Sequence, residues 1–255
     1  MSATIPLSVQ LYSLREAAAI DFEAVLRSVG DMGYVGVELA GFNGLSPARV
    51  AQILGETGMV ASSAHTVELD PEKLKSVLDD VETVGCNNLV IAAIRPDGFT
   101  DMAAIQRTAD ALTKAHEVAS ARGVALGYHN HWWEFETSFD GRTAWSHLFD
   151  LVHPDVFAEL DLYWATVGKT DPVDALTELG ARVRLLHVKD GPAVGPPDVM
   201  VSVGTGTIDI PRVIAAGPAV QWHIVELDRC DTDMTTAVKE SHAYLIGHGL
   251  SKGRS

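Results

Sequence analysis

A chain of 255 residues, 47% of them hydrophobic, can bury a large core, which excludes a disordered segment. Its formal net charge of -15 repels phosphate backbones and anionic bilayers, so neither nucleic acid nor membrane is expected as a partner. No run reaches the roughly 18 apolar residues of a spanning helix, and the start MSATIPLSVQ has no basic stretch ahead of an apolar one. Cys86 and Cys230 form no metal or redox spacing, which fits buried free thiols in a cytoplasmic protein.

Apolar runs of strand length alternate with amphipathic runs of helix length along the whole chain. Strands are predicted at 5–11, 34–40, 59–65, 88–94, 124–130, 156–162, 183–189 and 222–228. Asp21 is predicted to cap a helix ending at Asp31-Met32-Gly33, Ser46-Pro47 to open a second, and Asp70-Pro71 a third, each stopping at glycine. Thr100 or Asp101 starts the longest helix, and RTAWSHLFDLV, DPVDALTELG, IDIPRVIAAG and TTAVKESHAYLIGHG complete the series. Eight strand-helix units in one direction imply a parallel sheet closed into a single (β/α)8 TIM barrel, with 1–255 as one domain. A doubly wound open sheet is the alternative, but Gln10-Leu11-Tyr12-Ser13 stands where its glycine-rich turn belongs. Segment 189–207, rich in Gly and Pro, is the one long irregular connection and should lie over the C-terminal mouth.

Barrel enzymes carry their chemistry at the C-terminal ends of the strands. The polar residues at those ends are Gln10, Tyr12, Glu38, His65, His129, His131, Asp161, His187, Lys189, Glu226 and Asp228. Residues two apart in a strand share a face, which pairs His129 with His131, Glu159 with Asp161, His187 with Lys189 and Glu226 with Asp228. Taken singly, a strand-end His is a hydrogen-bonded residue and a strand-end carboxylate a cap for the next helix. Four in succession, His129, Asp161, His187 and Glu226, at intervals of 32, 26 and 39 residues, instead suggest one metal site. Two imidazoles and two carboxylates suit Mn²⁺, Zn²⁺, Co²⁺ or Fe²⁺ better than Ca²⁺.

Other signals accompany this set. Gly204-Thr205-Gly206-Thr207, ahead of a short helix, can present N–H groups to an anion, and a glycine-rich turn before a helix explains it equally well. Trp132, Trp133 and Trp164 fall near the mouth, where aromatic faces stack on sugars or simply pack as a lid. Arg95 and Arg184 can bind a carboxylate or phosphate, though surface placement is the preferred reading.

The segments GYVGVELAG at 33–41, YHNHWWEF at 128–135, LDLYWATVGKTDP at 160–172, LLHVKDG at 185–191, GTGTID at 204–209 and VELD at 225–228 resemble a known group. They are similar to the sugar phosphate isomerase/epimerase proteins of the xylose isomerase-like TIM-barrel superfamily. That resemblance implies one divalent metal, Mn²⁺ foremost, with Co²⁺, Mg²⁺, Zn²⁺ or Fe²⁺ as substitutes. It maps Asp161, His187 and Glu226 onto the ligand positions of strands six, seven and eight. Many members have a Glu ligand in strand five where Gly127 aligns here, so His129 takes over that place, with His131 and Glu134 as rivals. The YHNH pattern is closer to dehydratase- and lyase-like members acting on keto-inositols or 3-keto sugars.

On this reading the protein is a metal-dependent isomerase, epimerase, lyase or dehydratase of a small sugar, keto-sugar or cyclitol, working through an enediolate. His131, Glu134, Lys189 and Glu226 are the candidates for proton transfer. Gln10, Tyr12, Glu38, His65, Trp132 and Trp164 are the candidates for holding substrate. The resemblance also implies a homo-oligomer. A non-catalytic or partner-dependent barrel subunit of a sugar-processing system is the alternative. A DNA-repair endonuclease of the same superfamily would need a three-zinc cluster and a basic groove, which the charge of -15 opposes.

Overall fold

The computed structural model describes residues 5–254. Eight parallel strands close in chain order: β1 (Leu7–Gln10), β2 (Gly36–Leu39), β3 (Val60–Thr66), β4 (Asn88–Ile91), β5 (Ala125–His129), β6 (Phe157–Asp161), β7 (Val183–Val188) and β8 (Trp222–Val225). Strand β8 pairs back with β1 through Leu7–His223, Ser8–Ile224 and Val9–Val225, which completes the (β/α)8 barrel that the alternation predicts. Each strand falls within its predicted run, except that β3 extends to Thr66.

The helices begin where short polar side chains satisfy their first free N–H groups. Ser46 accepts from Arg49 N ahead of α2 (Pro47–Thr57), Asp70 from Glu72 N ahead of α3 (Pro71–Val84), and Asp101 from Ala104 N ahead of α4 (Met102–Ser120). Helix α1 (Arg15–Met32) starts earlier than predicted, because a first helical stretch leads into Asp21, whose φ of -154° breaks the helix. Asp21 Oδ1 then accepts from Ala24 N at 2.9 Å, so this aspartate does cap the run ending at Gly33. Short elements escape the periodicity: a 3-10 turn at Leu11–Leu14, α5 (Trp133–Glu136), a ribbon pairing Ser138–Phe139 with Arg142–Thr143, and α7 (Leu162–Val167). The remaining helices are α6 (Ala144–Leu151), α8 (Pro172–Leu179), α9 (Ile210–Ala216) and α10 (Met234–Gly247).

Two apolar layers result. The larger lies between strands and helices, with Leu26, Ile53, Leu112 and Trp145 fully buried. The smaller fills the lower barrel with Val90, Phe157, Leu185 and Ile224. Strand alternation carries the same inward face up from Phe157 to Glu159 and Asp161, from Leu185 to His187 and Lys189, and from Ile224 to Glu226. The plug thus gives way to titratable groups halfway up. Among the described residues, no helix is long and apolar enough to cross a membrane. Cys86 is buried and Cys230 half-buried, and both are free thiols.

Candidate metal centre

Above the plug, the inward side chains form two tiers. In the lower tier Glu159 is the hub: its Oε2 lies 2.6 Å from His65 Nε2, 3.0 Å from His129 Nδ1 and 3.3 Å from His187 Nε2. Glu38 joins from β2, accepting from Gln10 Nε2 at 2.6 Å and Ser63 Oγ at 2.6 Å, and lying 2.7 Å from His187 Nε2. Burial works against charge here, yet His187 and His65 outweigh it and hold the Glu159 carboxyl well below its ordinary range. Glu38 is pushed the other way, by burial and by the Glu159 charge.

In the upper tier, His187 Nδ1 lies 2.9 Å from Glu226 Oε2, and Lys189 Nζ lies 2.8 Å from Asp161 Oδ2 and 2.7 Å from Asp228 Oδ2. Asp161 Oδ1 caps α7 by accepting from Trp164 N at 2.9 Å, which turns Oδ2 inward. That oxygen faces the Lys189 ammonium at 2.8 Å and His129 Nε2 at 3.7 Å. Burial raises the Asp161 pKa to about 6 against the pull of Lys189. Burial, then His187, lowers that of His129 to about 3, which leaves a neutral imidazole able to coordinate. Despite burial, Lys189 and His187 keep Glu226 ionised.

The donor atoms of His129, Asp161, His187 and Glu226 all lie within 4.8 Å of one another, and all four residues are buried. A neutral imidazole at His129, a second at His187 that against burial its carboxylate neighbours keep protonated and that would release that proton on binding, and two carboxylates balanced by Lys189 form a donor set suited to a divalent cation. A second group, His65, His129, Glu159 and His187, overlaps it one tier down. Glu159 carries no role in the sequence reading beyond its pairing with Asp161. Its signal was a charge two residues before Asp161 in an otherwise apolar strand.

A cavity of about 590 Å³ opens above these tiers, lined by Tyr12, His65, His129, His131, Glu226 and Asp228 together with small rim residues. Several expected substrate contacts lie elsewhere. Gln10 and Glu38 are fully buried beneath the cavity and spend their polar atoms on each other, on the Tyr12 N–H, on Ser63 and on His187. Trp132, Trp133 and Trp164 back the wall: His131 stacks on Trp133 at 4.3 Å, and Trp132 meets Trp164 at 4.9 Å. His131 Nδ1 is buried without a partner, and burial keeps this imidazole neutral. Glu134 sits behind it, accepting from His131 N at 2.9 Å and from Tyr128 Oη, and burial raises its pKa to about 8.

The glycine-rich turn at 204–207 does not offer its N–H groups outward. Asp190, the residue after Lys189, has Oδ2 at 2.9 Å from both Gly204 N and Gly206 N, and Oδ1 at 2.8 Å from Gly191 N and 3.3 Å from Ile208 N. The turn is therefore closed by an internal carboxylate.

A closed parallel barrel with buried imidazole and carboxylate donors at its C-terminal mouth defines a class of (β/α)8 proteins built around a small-molecule site. Residues 31–216 match the model of the xylose isomerase-like TIM barrel family, and the chain belongs to that family. No curated protein matches it. Among solved structures, a sugar phosphate isomerase/epimerase from Parabacteroides distasonis is 24% identical with a TM-score of 0.84, covering 97% of this chain and 100% of that one. AsbF of Bacillus anthracis, a probable 3-DHS dehydratase, is 15% identical with a TM-score of 0.77 over 95% and 99% of the two chains. IOLI, solved with a bound zinc atom, is 15% identical with a TM-score of 0.74 over 98% and 100%.

Proposed function

We propose that this barrel is a divalent-metal-dependent isomerase, epimerase or lyase acting through an enediolate on a small sugar, keto-sugar or cyclitol. One observation carries the reading: buried donor atoms of His129, Asp161, His187 and Glu226 converge within 4.8 Å of one another, and two of the four, His129 and Glu226, line the mouth cavity. These four would hold the ion, with Mn²⁺ best suited and Zn²⁺, Co²⁺, Fe²⁺ or Mg²⁺ as substitutes. The zinc in IOLI supports a metal in this fold, and the dehydratase assignment of AsbF supports elimination as one outcome. When bound, the ion supplies Lewis-acid stabilisation of charge developing on a substrate carbonyl oxygen.

The chain's own side chains divide the remaining work. His131, neutral and lining the cavity, is the side chain we assign to take the α-proton. Glu226 reaches the same cavity and stays ionised, so it combines ligand and base roles. Glu134 keeps its proton at neutral pH and fixes the backbone of His131 from behind. Lys189, fully buried between Asp161 and Asp228, is a positioning charge rather than a proton donor to substrate. Tyr12 and His65 line the cavity, where they meet substrate hydroxyls, while Gln10 and Glu38 orient His187 from below. Two free thiols suit a reducing cytoplasm.

The test is incubation with ketoses, inososes and 3-keto-glycosides in D₂O with Mn²⁺, followed by NMR. Deuterium entering a carbon next to a carbonyl supports enolisation and locates it. No exchange with any member of the panel would sink the enediolate.

A further inference from the structure

Barrels of this architecture commonly bind a phosphate group with the loops after strands seven and eight and the N-terminus of a following short helix. The turn Gly204–Thr207 and helix α9 stand at that place, with four backbone N–H groups turned to one point. The point is already taken. Asp190, 1% exposed, receives the N–H groups of Gly191, Gly204, Gly206 and Ile208 on its two oxygens. The backbone packs so closely on this carboxylate that a Cβ at Gly206 would sit 2.1 Å from Asp190 Oδ1. The N-cap of α9, Asp209, is likewise satisfied within the protein, accepting from Arg212 N at 3.1 Å.

The mouth offers no replacement cradle. Among the described residues lining the cavity there is no arginine or lysine, whereas Glu226 and Asp228 face it. Lys189 is fully buried and committed to carboxylates. Arg15, stacked over the Tyr12 ring at the rim, spends Nη1 on the Tyr12 carbonyl at 2.9 Å and Nη2 on the Asp228 carbonyl at 2.8 Å. Away from the metal position, a phosphate dianion entering here would lose its hydration and meet the Glu226 and Asp228 carboxylates, with no arginine or lysine side chain on the cavity lining to offset them.

We infer that the ligand is an unphosphorylated, uncharged polyol or keto-sugar, and that Asp190 is the built-in anion that shuts the phosphate position. This rests on the small-sugar reading above and narrows it. Each sugar of the D₂O exchange panel is run beside its phosphate ester, with the wild-type enzyme. Exchange with the free sugars and its loss with the esters is the expected result. Exchange confined to the esters would overturn the inference while leaving enolisation intact. No exchange with either would count against the functional reading, and the turn is then judged alone. For that, the amide signals of Gly191, Gly204 and Gly206 are followed by NMR while inorganic phosphate is added to the wild type. Unmoved signals support a closed cradle, and saturable shifts refute it. In Asp190→Ala, inorganic phosphate should raise Tm by filling the vacated nest. A folded variant indifferent to phosphate would show that the turn was never an anion cradle. Should that variant fail to fold, the wild-type titration still decides.

Discussion

Lys189 Nζ lies 2.8 Å from Asp161 Oδ2, with both residues wholly buried at the top of the barrel interior. Asp228 and Glu226 crowd the same ammonium, so one lysine balances three carboxylates. Burial alone would favour the neutral amine, yet these carboxylates hold its pKa well above the ordinary value. Replacing it with methionine leaves them uncompensated and should cost about 3–5 kcal/mol in urea unfolding. Mn²⁺ should then restore more stability to Lys189→Met than it adds to the wild type. Equal stability of variant and wild type without metal would contradict the ion-pair role.

Glu226→Gln keeps the shape and removes the charge that His187 and Lys189 hold in place. Metal affinity should fall by at least about 10–100-fold, the loss seen even for groups that only support ligands, and deuterium exchange should vanish. Metal content after dialysis and exchange rate measure the two effects separately. Retained exchange at full rate would remove Glu226 from the site.

Glu134 gives a pH signature. Its pKa is raised by burial from 4.5 to about 8, so the folded chain binds a proton there that the unfolded chain releases. Its contribution is most favourable below about 4.5 and declines as pH climbs towards about 8. Glu134→Gln, neutral at every pH, should flatten the stability profile across that window by a few kcal/mol. Parallel profiles for variant and wild type would show that Glu134 is ionised throughout.

Gly127 faces the Phe157 ring so closely that a Cβ would stand 2.3 Å from it. Gly127→Ala should therefore destabilise by about 1–3 kcal/mol through overpacking. Phe157→Leu in the same chain should return part of that loss, a non-additivity measurable by a double-mutant cycle in urea. Simple addition of the two costs would place the ring elsewhere.

The alternation of strands and capped helices was legible because most strands are apolar runs closed by polar or glycine punctuation, β3 with Ser62, Ser63, His65 and Thr66 being the most polar. The Ser46 and Asp70 caps stand where their spacing placed them, and of the two candidates Thr100 and Asp101 it is Asp101 that caps α4. Elements of four to six residues, such as α5 and α7, lack the length over which a helical period can be read. The donors His129, Asp161, His187 and Glu226 were readable as strand ends. The hub at Glu159 was not, because its meaning depends on His65 arriving from across the barrel, 94 residues earlier. Nor does the GTGT turn reveal by its composition that a carboxylate 14 residues upstream of Gly204 fills it.

A side chain at 127 and a ring at 157 compete for one volume inside the barrel. A glutamate in strand five and a phenylalanine opening strand six therefore do not fit together in this barrel without repacking of the ring. Homologous sequences that carry an acidic residue at the first position should carry a small one at the second. No single substitution then leads from this donor set to a glutamate-bearing one without passing through an intermediate that is either overpacked or hollow.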